Sequence, residues 1–125
     1  MTVYRRIETS QEDGVTVVTF IERKILEAAA IMELSEDLIR LVDQEGCKDL
    51  LLDFSAVEFL SSAALNKLII LDKKVKAKGG QLKLCSMIPE IREVFVITRL
   101  NQLFDIVDTR AKALDGFRRA RPGAA

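Results

Sequence analysis

The sequence contains no histidine. It therefore lacks the commonest general base near neutral pH and the commonest metal ligand. A hydrolase triad has nothing to build its base from. Only two cysteines occur, Cys47 and Cys85. They are far apart and form no CxxC pair, so two reduced thiols are expected rather than a redox or zinc motif. Glycine is sparse, and Gly79-Gly80 stands alone, without the context of a phosphate-binding loop or a dinucleotide fingerprint. Charge of one sign is also missing. The chain has 19 basic and 19 acidic residues, so no field is available to hold a nucleic acid. The basic run Arg118-Arg119-Ala120-Arg121 reads as a solvated face suited to a helix C-terminus. No apolar run approaches the roughly 20 residues that span a bilayer. The first 14 residues are too polar for a signal peptide. The expectation is a cytoplasmic, non-enzymatic protein with no cofactor, no metal site and no membrane insertion.

What is present is an ordinary globular balance. Of 125 residues, 49% are hydrophobic and 30% charged, enough for one domain with its own core. Tyr4 to Ser10 and Val15 to Ile21 read as strands, joined through the hairpin signal Asp13-Gly14. In the second strand Val15, Val17, Thr19 and Ile21 share one face, and Thr16, Val18 and Phe20 the other. Residues 22–27 carry no clear period. Ile31, Leu34, Leu38, Leu41 and Val42 then trace a helix, with Gly46 as its stop.

Leu50-Leu51-Leu52-Asp53-Phe54 has the continuous apolar character of a strand covered on both faces. Ala64, Leu68, Leu71 and Val75 mark a second helix, with Leu65 and Ile69 beside the stripe. Its expected wet side is Asp72, Lys73, Lys74, Lys76 and Lys78. A strand follows at Gln81 to Cys85. Pro89 opens a third helix through Ile91, Val94, Phe95 and Thr98. Leu103 to Val107 is expected as a short final strand. Thr109 can cap a last helix carrying Ala111, Leu114 and Phe117. Strands alternate with helices after the first hairpin. An α/β fold with mostly parallel crossovers is therefore expected.

Between the apolar strand and the second helix lies Phe59-Leu60-Ser61-Ser62-Ala63-Ala64-Leu65, "FLSSAAL". Two hydroxyls sit where the first amides of a helix lack intrahelical partners. One serine can accept from such an amide as a cap. The same place tolerates an anion, so a phosphate added to a serine would change the surface without opposing the helix.

The run Leu51 to Leu65 resembles the STAS domain of anti-sigma factor antagonists. In that family a strand ending "DxSxVxFxDSSGL" leads into a helix, and the first serine of "DSSGL" is phosphorylated by a partner kinase. Lys78-Gly79-Gly80-Gln81-Leu82-Lys83-Leu84-Cys85 is similar to the family's "GG-x-L-x-L". Pro89 to Val94 and Leu100 to Phe104 resemble its "PxVxxxLxxTGLxxLF". The resemblance covers about residues 13 to 117. By position Ser62 matches the phosphoacceptor. Ser61 replaces the family's aspartate, Ala63 its second serine, Ala64 its glycine, and Arg99 the glycine of "TGL".

This resemblance implies one STAS-like domain over residues 1–120, with residues 121–125 as a flexible tail. It implies a mixed, mostly parallel sheet of about five strands covered by about four helices. It implies a bacterial regulator of transcription that switches partners through a phosphate on Ser62, with Ser61 as the helix cap. The implied partner-binding surface is Phe59, Leu60, Ser61, Ser62, Ala63, Leu65 and Asn66. The implied partners are an anti-sigma factor that is a GHKL-type serine kinase and a PP2C-type phosphatase, met by a monomer or weak homodimer. The family also contains constitutive binders, as parts of stress-sensing assemblies or accessory subunits of lipid-transport ATPases. That alternative stays open.

Overall fold

The computed structural model describes residues 4–120, and the expected tail at 121–125 lies outside them. The first two strands are β1 (Ile7–Glu12) and β2 (Val15–Phe20). They pair antiparallel with Glu12 opposite Val15. The two residues between them, Asp13 and Gly14, both have positive φ, 53° and 80°. That is the turn whose twist matches a hairpin, and it is why Asp-Gly occurs there. Strand β1 starts three residues later than the sequence suggests. The amides of Arg5 and Arg6 are taken by Asp37 Oδ2, at 3.0 and 2.8 Å, rather than by a ladder.

Chain order continues with β3 (Lys24–Ile25), α1 (Ala28–Asp43), β4 (Asp49–Asp53), β5 (Phe59–Leu60), α2 (Ser62–Ala77), β6 (Gln81–Cys85), α3 (Pro89–Ile97), a 3-10 turn (Leu100–Gln102), β7 (Asp105–Val107) and α4 (Arg110–Ala120). The main sheet has the order β1-β2-β4-β6-β7 and is parallel except for β1. The expected five-stranded, four-helix α/β architecture is what forms. The segment without a clear period supplies β3, which pairs parallel with β5 in a separate two-stranded sheet. Strands of two residues are too short to show a period.

Alternation along the strands sends two sets of side chains to opposite faces. Val18, Phe20, Leu50, Leu52, Leu82 and Leu84 join the larger core, with the buried faces of α1, α2 and α3. Val15, Val17, Leu51 and Cys85 meet Ala113 and Phe117 of α4 on the other side. Phenylalanine rings run through the larger core. Phe54 lies 4.9 Å from Phe20 and 6.2 Å from Phe95, which lies 5.8 Å from Phe104. Phe54 thus ties the loop after β4 to both β2 and α3.

Two helix faces depart from the expected patterns. Asp72 is buried, not wet, because it follows Leu68 by one turn on the inward stripe of α2; Lys76 Nζ lies 2.8 Å from its carboxylate. In α4 the inward residue is Ala113, one turn before Phe117, and Ala111 is exposed. Thr109 caps that helix by accepting from the Lys112 amide at 3.2 Å.

Candidate functional site

The segment from Asp53 to Asn66 is built by alternating anchors and exposed residues. Asp53 ends β4, and its Oδ1 accepts from the Ser55 amide at 2.9 Å, which turns the chain. Its Oδ2 accepts from Arg110 Nη2 at 2.7 Å and Nε at 3.1 Å. Burial pushes the Asp53 carboxyl up. The Ser55 amide and the Arg110 guanidinium more than offset this and hold it below the ordinary carboxylate range. Beside it in the sheet, the Cys85 thiol is pushed up to about 11 by burial, so it packs as a neutral group.

Beyond Ser55, Phe54, Val57 and Leu60 point into the core while Glu58 and Phe59 face out. The amides of Glu58 and Phe59 donate to Arg23 O, and that of Ser61 to Ile25 O. These bonds fix β5 against β3 and deliver the chain to the start of α2.

Ser61 is the N-cap of α2. Its φ and ψ are extended, −76° and 162°, and its Oγ accepts from the Ala64 amide at 3.3 Å. Ser62 is the first helical residue and is exposed. Among the described residues its hydroxyl has no partner. Ala63 and Asn66 are also exposed. Together with Leu65 and Ile69 they form one wall of a groove of about 530 Å³, whose other wall is Thr98 and Leu100.

Two members of the expected surface lie inside. Leu60 is only 6% exposed and belongs to the core, since β5 turns it inward while Phe59, 50% exposed, faces solvent. Leu65 is 5% exposed, because it sits one residue beyond Ala64 on the inward side of α2. It supplies part of the groove floor rather than a projecting contact. Thr98 and Leu100 were not legible as neighbours of Ser62. They lie more than 30 residues away, and no spacing rule joins the end of α3 to the start of α2. The signal present was an uncovered Thr98 on an otherwise apolar stripe.

Among the described residues no group of three acidic or cysteine side chains could hold a metal ion. No helix among these residues is long and apolar enough to cross a membrane. What the geometry offers is a helix N-terminus with an unused hydroxyl beside an open, partly apolar groove.

The sequence pattern of the STAS domain matches residues 6–113. This chain belongs to the STAS domain family. The chain is 30% identical over 98 residues to the "Putative anti-sigma factor antagonist BtrV" of Bordetella bronchiseptica, covering 78% of this chain and 84% of that protein. In structure it resembles an anti-sigma factor antagonist from Mycobacterium paratuberculosis, with a TM-score of 0.78 and 26% identity over 90% of this chain and 92% of the other. The phosphorylated form of the Bacillus cell fate determinant SpoIIAA shares the fold, with a TM-score of 0.66 and 17% identity over 92% and 99% of the two chains. The chain is thus an anti-sigma factor antagonist-like STAS domain.

Proposed function

We propose that this STAS domain is a partner-switching regulator. It docks a kinase-type anti-sigma factor over the start of α2, and a phosphate on Ser62 ends the docking. The observation that carries this reading is the separation of the two serines. Ser61 caps the helix, which leaves the exposed Ser62 hydroxyl with no structural task among the described residues.

Phosphorylation at the first residue of α2 adds about −1.5 to −2 charge where the helix dipole tolerates it. The fold survives and the surface changes. A partner seated over Phe59, Ala63, Asn66 and the groove would then have to bury a dianion, which is costly without a paired cation. The neutral hydroxyl carries no such penalty. A phosphatase of the PP2C type would reset the cycle, and the module itself carries no chemistry. Its place of action is the bacterial cytoplasm.

One feature favours a second reading. Ser61 stands where the resembling motif has aspartate, so a kinase that reads that carboxylate finds none. The domain would then be a constitutive binder in a larger assembly. Incubation with kinase-type anti-sigma factors of the source genome and ATP, followed by mass spectrometry, separates the two. A phosphate on Ser62 and at least a tenfold loss of binding in Ser62→Asp support switching. An unlabelled segment 60–66 with every kinase, together with undiminished binding by Ser62→Asp, overturns it in favour of the constitutive role.

A further inference from the structure

Asp53 divides its buried carboxylate between two parts of the chain. Oδ1 accepts from the Ser55 amide at 2.9 Å, the bond that starts the segment leading to Ser62. Oδ2 accepts from Arg110 Nη2 at 2.7 Å and Nε at 3.1 Å. Arg110 is the first residue of α4. Its Nη1 also lies 3.4 Å from Glu12 Oε2, at the end of β1. One carboxylate therefore holds the start of α4 with one oxygen and the turn before the candidate site with the other. α4 itself is lightly attached. Among its described side chains, Ala113 and Phe117 are the buried ones, packed with Val15, Val17, Leu51 and Cys85. A helix of 11 residues is marginal on its own. An element with so little buried apolar contact opens before the rest of a fold. The turn is lightly held too, since Ser55 and Ala56 are exposed between the buried Phe54 and Val57.

We propose that α4 regulates the candidate site, with Arg110 as a positioning residue that acts through Asp53. With α4 docked, the guanidinium fixes the carboxylate, the carboxylate fixes the Ser55 turn, and the turn presents Phe59, Ser61 and Ser62 in one arrangement. When α4 lifts, Asp53 Oδ2 loses its cation inside the fold. An unpaired buried charge is unfavourable, so the carboxylate swings toward water and releases the Ser55 amide. The segment up to Ser61 then loosens. The effect on a partner rests on the reading of this segment as a docking site. A partner that recognises the ordered segment binds the α4-docked form better, and by linkage its binding holds α4 down. A change that frees α4 weakens docking without touching the interface.

Amide exchange by NMR and binding by calorimetry, on wild type, Arg110→Met, Phe117→Leu and Val42→Ala, test this. The first two variants loosen α4 at different points, and only Arg110→Met removes the partner of Asp53. Val42, buried in α1 on the other face of the sheet, supplies the control for lost stability. Exchange of the Ser55, Glu58, Phe59 and Ser61 amides is referred to the α1 amides of the same protein, which report global opening. The expected result is at least tenfold faster relative exchange of these four amides in both α4 variants and no relative change in Val42→Ala. Binding to the kinase-type anti-sigma factors encoded in the source genome should fall tenfold or more in the α4 variants and stay within twofold of wild type in Val42→Ala. Equal relative exchange in all three variants overturns the coupling, and the docking reading stands if wild type still binds a factor. An effect confined to Arg110→Met assigns the role to the ion pair and overturns α4 as the lever. Faster exchange in both α4 variants with undiminished binding overturns the regulation. Faster exchange in both, with no factor bound even by wild type, overturns the docking reading and supports the coupling of α4 to the segment.

Discussion

Arg110, the first residue of α4, places two guanidinium nitrogens within 3.1 Å of one oxygen of Asp53, the last residue of β4. The Asp53 side chain is only 7% exposed. The pair joins α4, the only helix on its face of the sheet among the described residues, to the strand that leads into the candidate site. Arg110→Met leaves the carboxylate buried against an apolar chain. The expected loss is about 2 kcal/mol, less than for a fully buried pair because Arg110 is partly solvated. The dependence on pH has a definite sign. The folded carboxyl lies below its ordinary value of 3.8. Its contribution is therefore complete above that value and is lost as pH falls through the folded one. Urea titrations of both proteins at pH 7 and pH 3 check this. The gap between them should be widest at pH 7 and narrow at pH 3.

Ser61 accepts a long hydrogen bond, 3.3 Å, from the Ala64 amide. A cap of that length belongs at the weaker end of the usual range. Ser61→Ala should cost about 0.5–1 kcal/mol. Ser61→Asp should instead gain a few tenths, through the stronger acceptor and the helix dipole. Thermal melts of the three proteins give the order directly. Ser61→Asp also restores the carboxylate of the resembling motif, so faster phosphorylation of Ser62 in that variant would show that the kinase reads this position.

The fold was legible where local chemistry and burial agree. Asp13-Gly14 announced the hairpin, Leu50 to Leu52 the central strand, and the spacing of Ala64, Leu68, Leu71 and Val75 the inner face of α2. The misplacements have physical reasons. Asp72 looked solvated by type, but its position one turn after Leu68 turns it inward, with Lys76 beside its carboxylate. At the site, sequence reading reached Ser61 and Ser62 because a strand-to-helix join leaves free amides at a known place. It did not reach Thr98 and Leu100, because the turn after α3 meets the start of α2 only in the folded chain.

The two glycines after α2 do different work. Gly79 has φ of 76°, its amide donates to Lys76 O and that of Gly80 to Val75 O, the paired bonds of a helix stop. Gly79→Ala has open space for its methyl and meets only the left-handed penalty, about 1 kcal/mol. Gly80 has no such freedom of space. A Cβ there would lie 2.0 Å from Lys48 O, a backbone atom that cannot swing aside while Gln81 N donates to it at 3.0 Å. Gly80→Ala should cost about 3 kcal/mol or more. Chemical denaturation distinguishes the two. Equal losses would mean that the turn repacks and that Gly80 is not fixed by the Lys48 carbonyl.

Phe59 and Leu60 are consecutive, and β5 sends them opposite ways. Leu60 fills the core beneath the start of α2, so Leu60→Ala should lose about 2–4 kcal/mol. That loss would reduce the folded population without identifying a contact. Phe59 is half exposed, and Phe59→Ser should change stability by less than about 0.5 kcal/mol. If Phe59 belongs to the docking surface, the same change should weaken binding of the anti-sigma factor at least tenfold, about 1.4 kcal/mol. Measuring melting and binding on both variants separates support from contact. A Phe59→Ser protein that melts like wild type and binds like wild type removes Phe59 from the interface and leaves docking to the groove between α2 and the turn after α3.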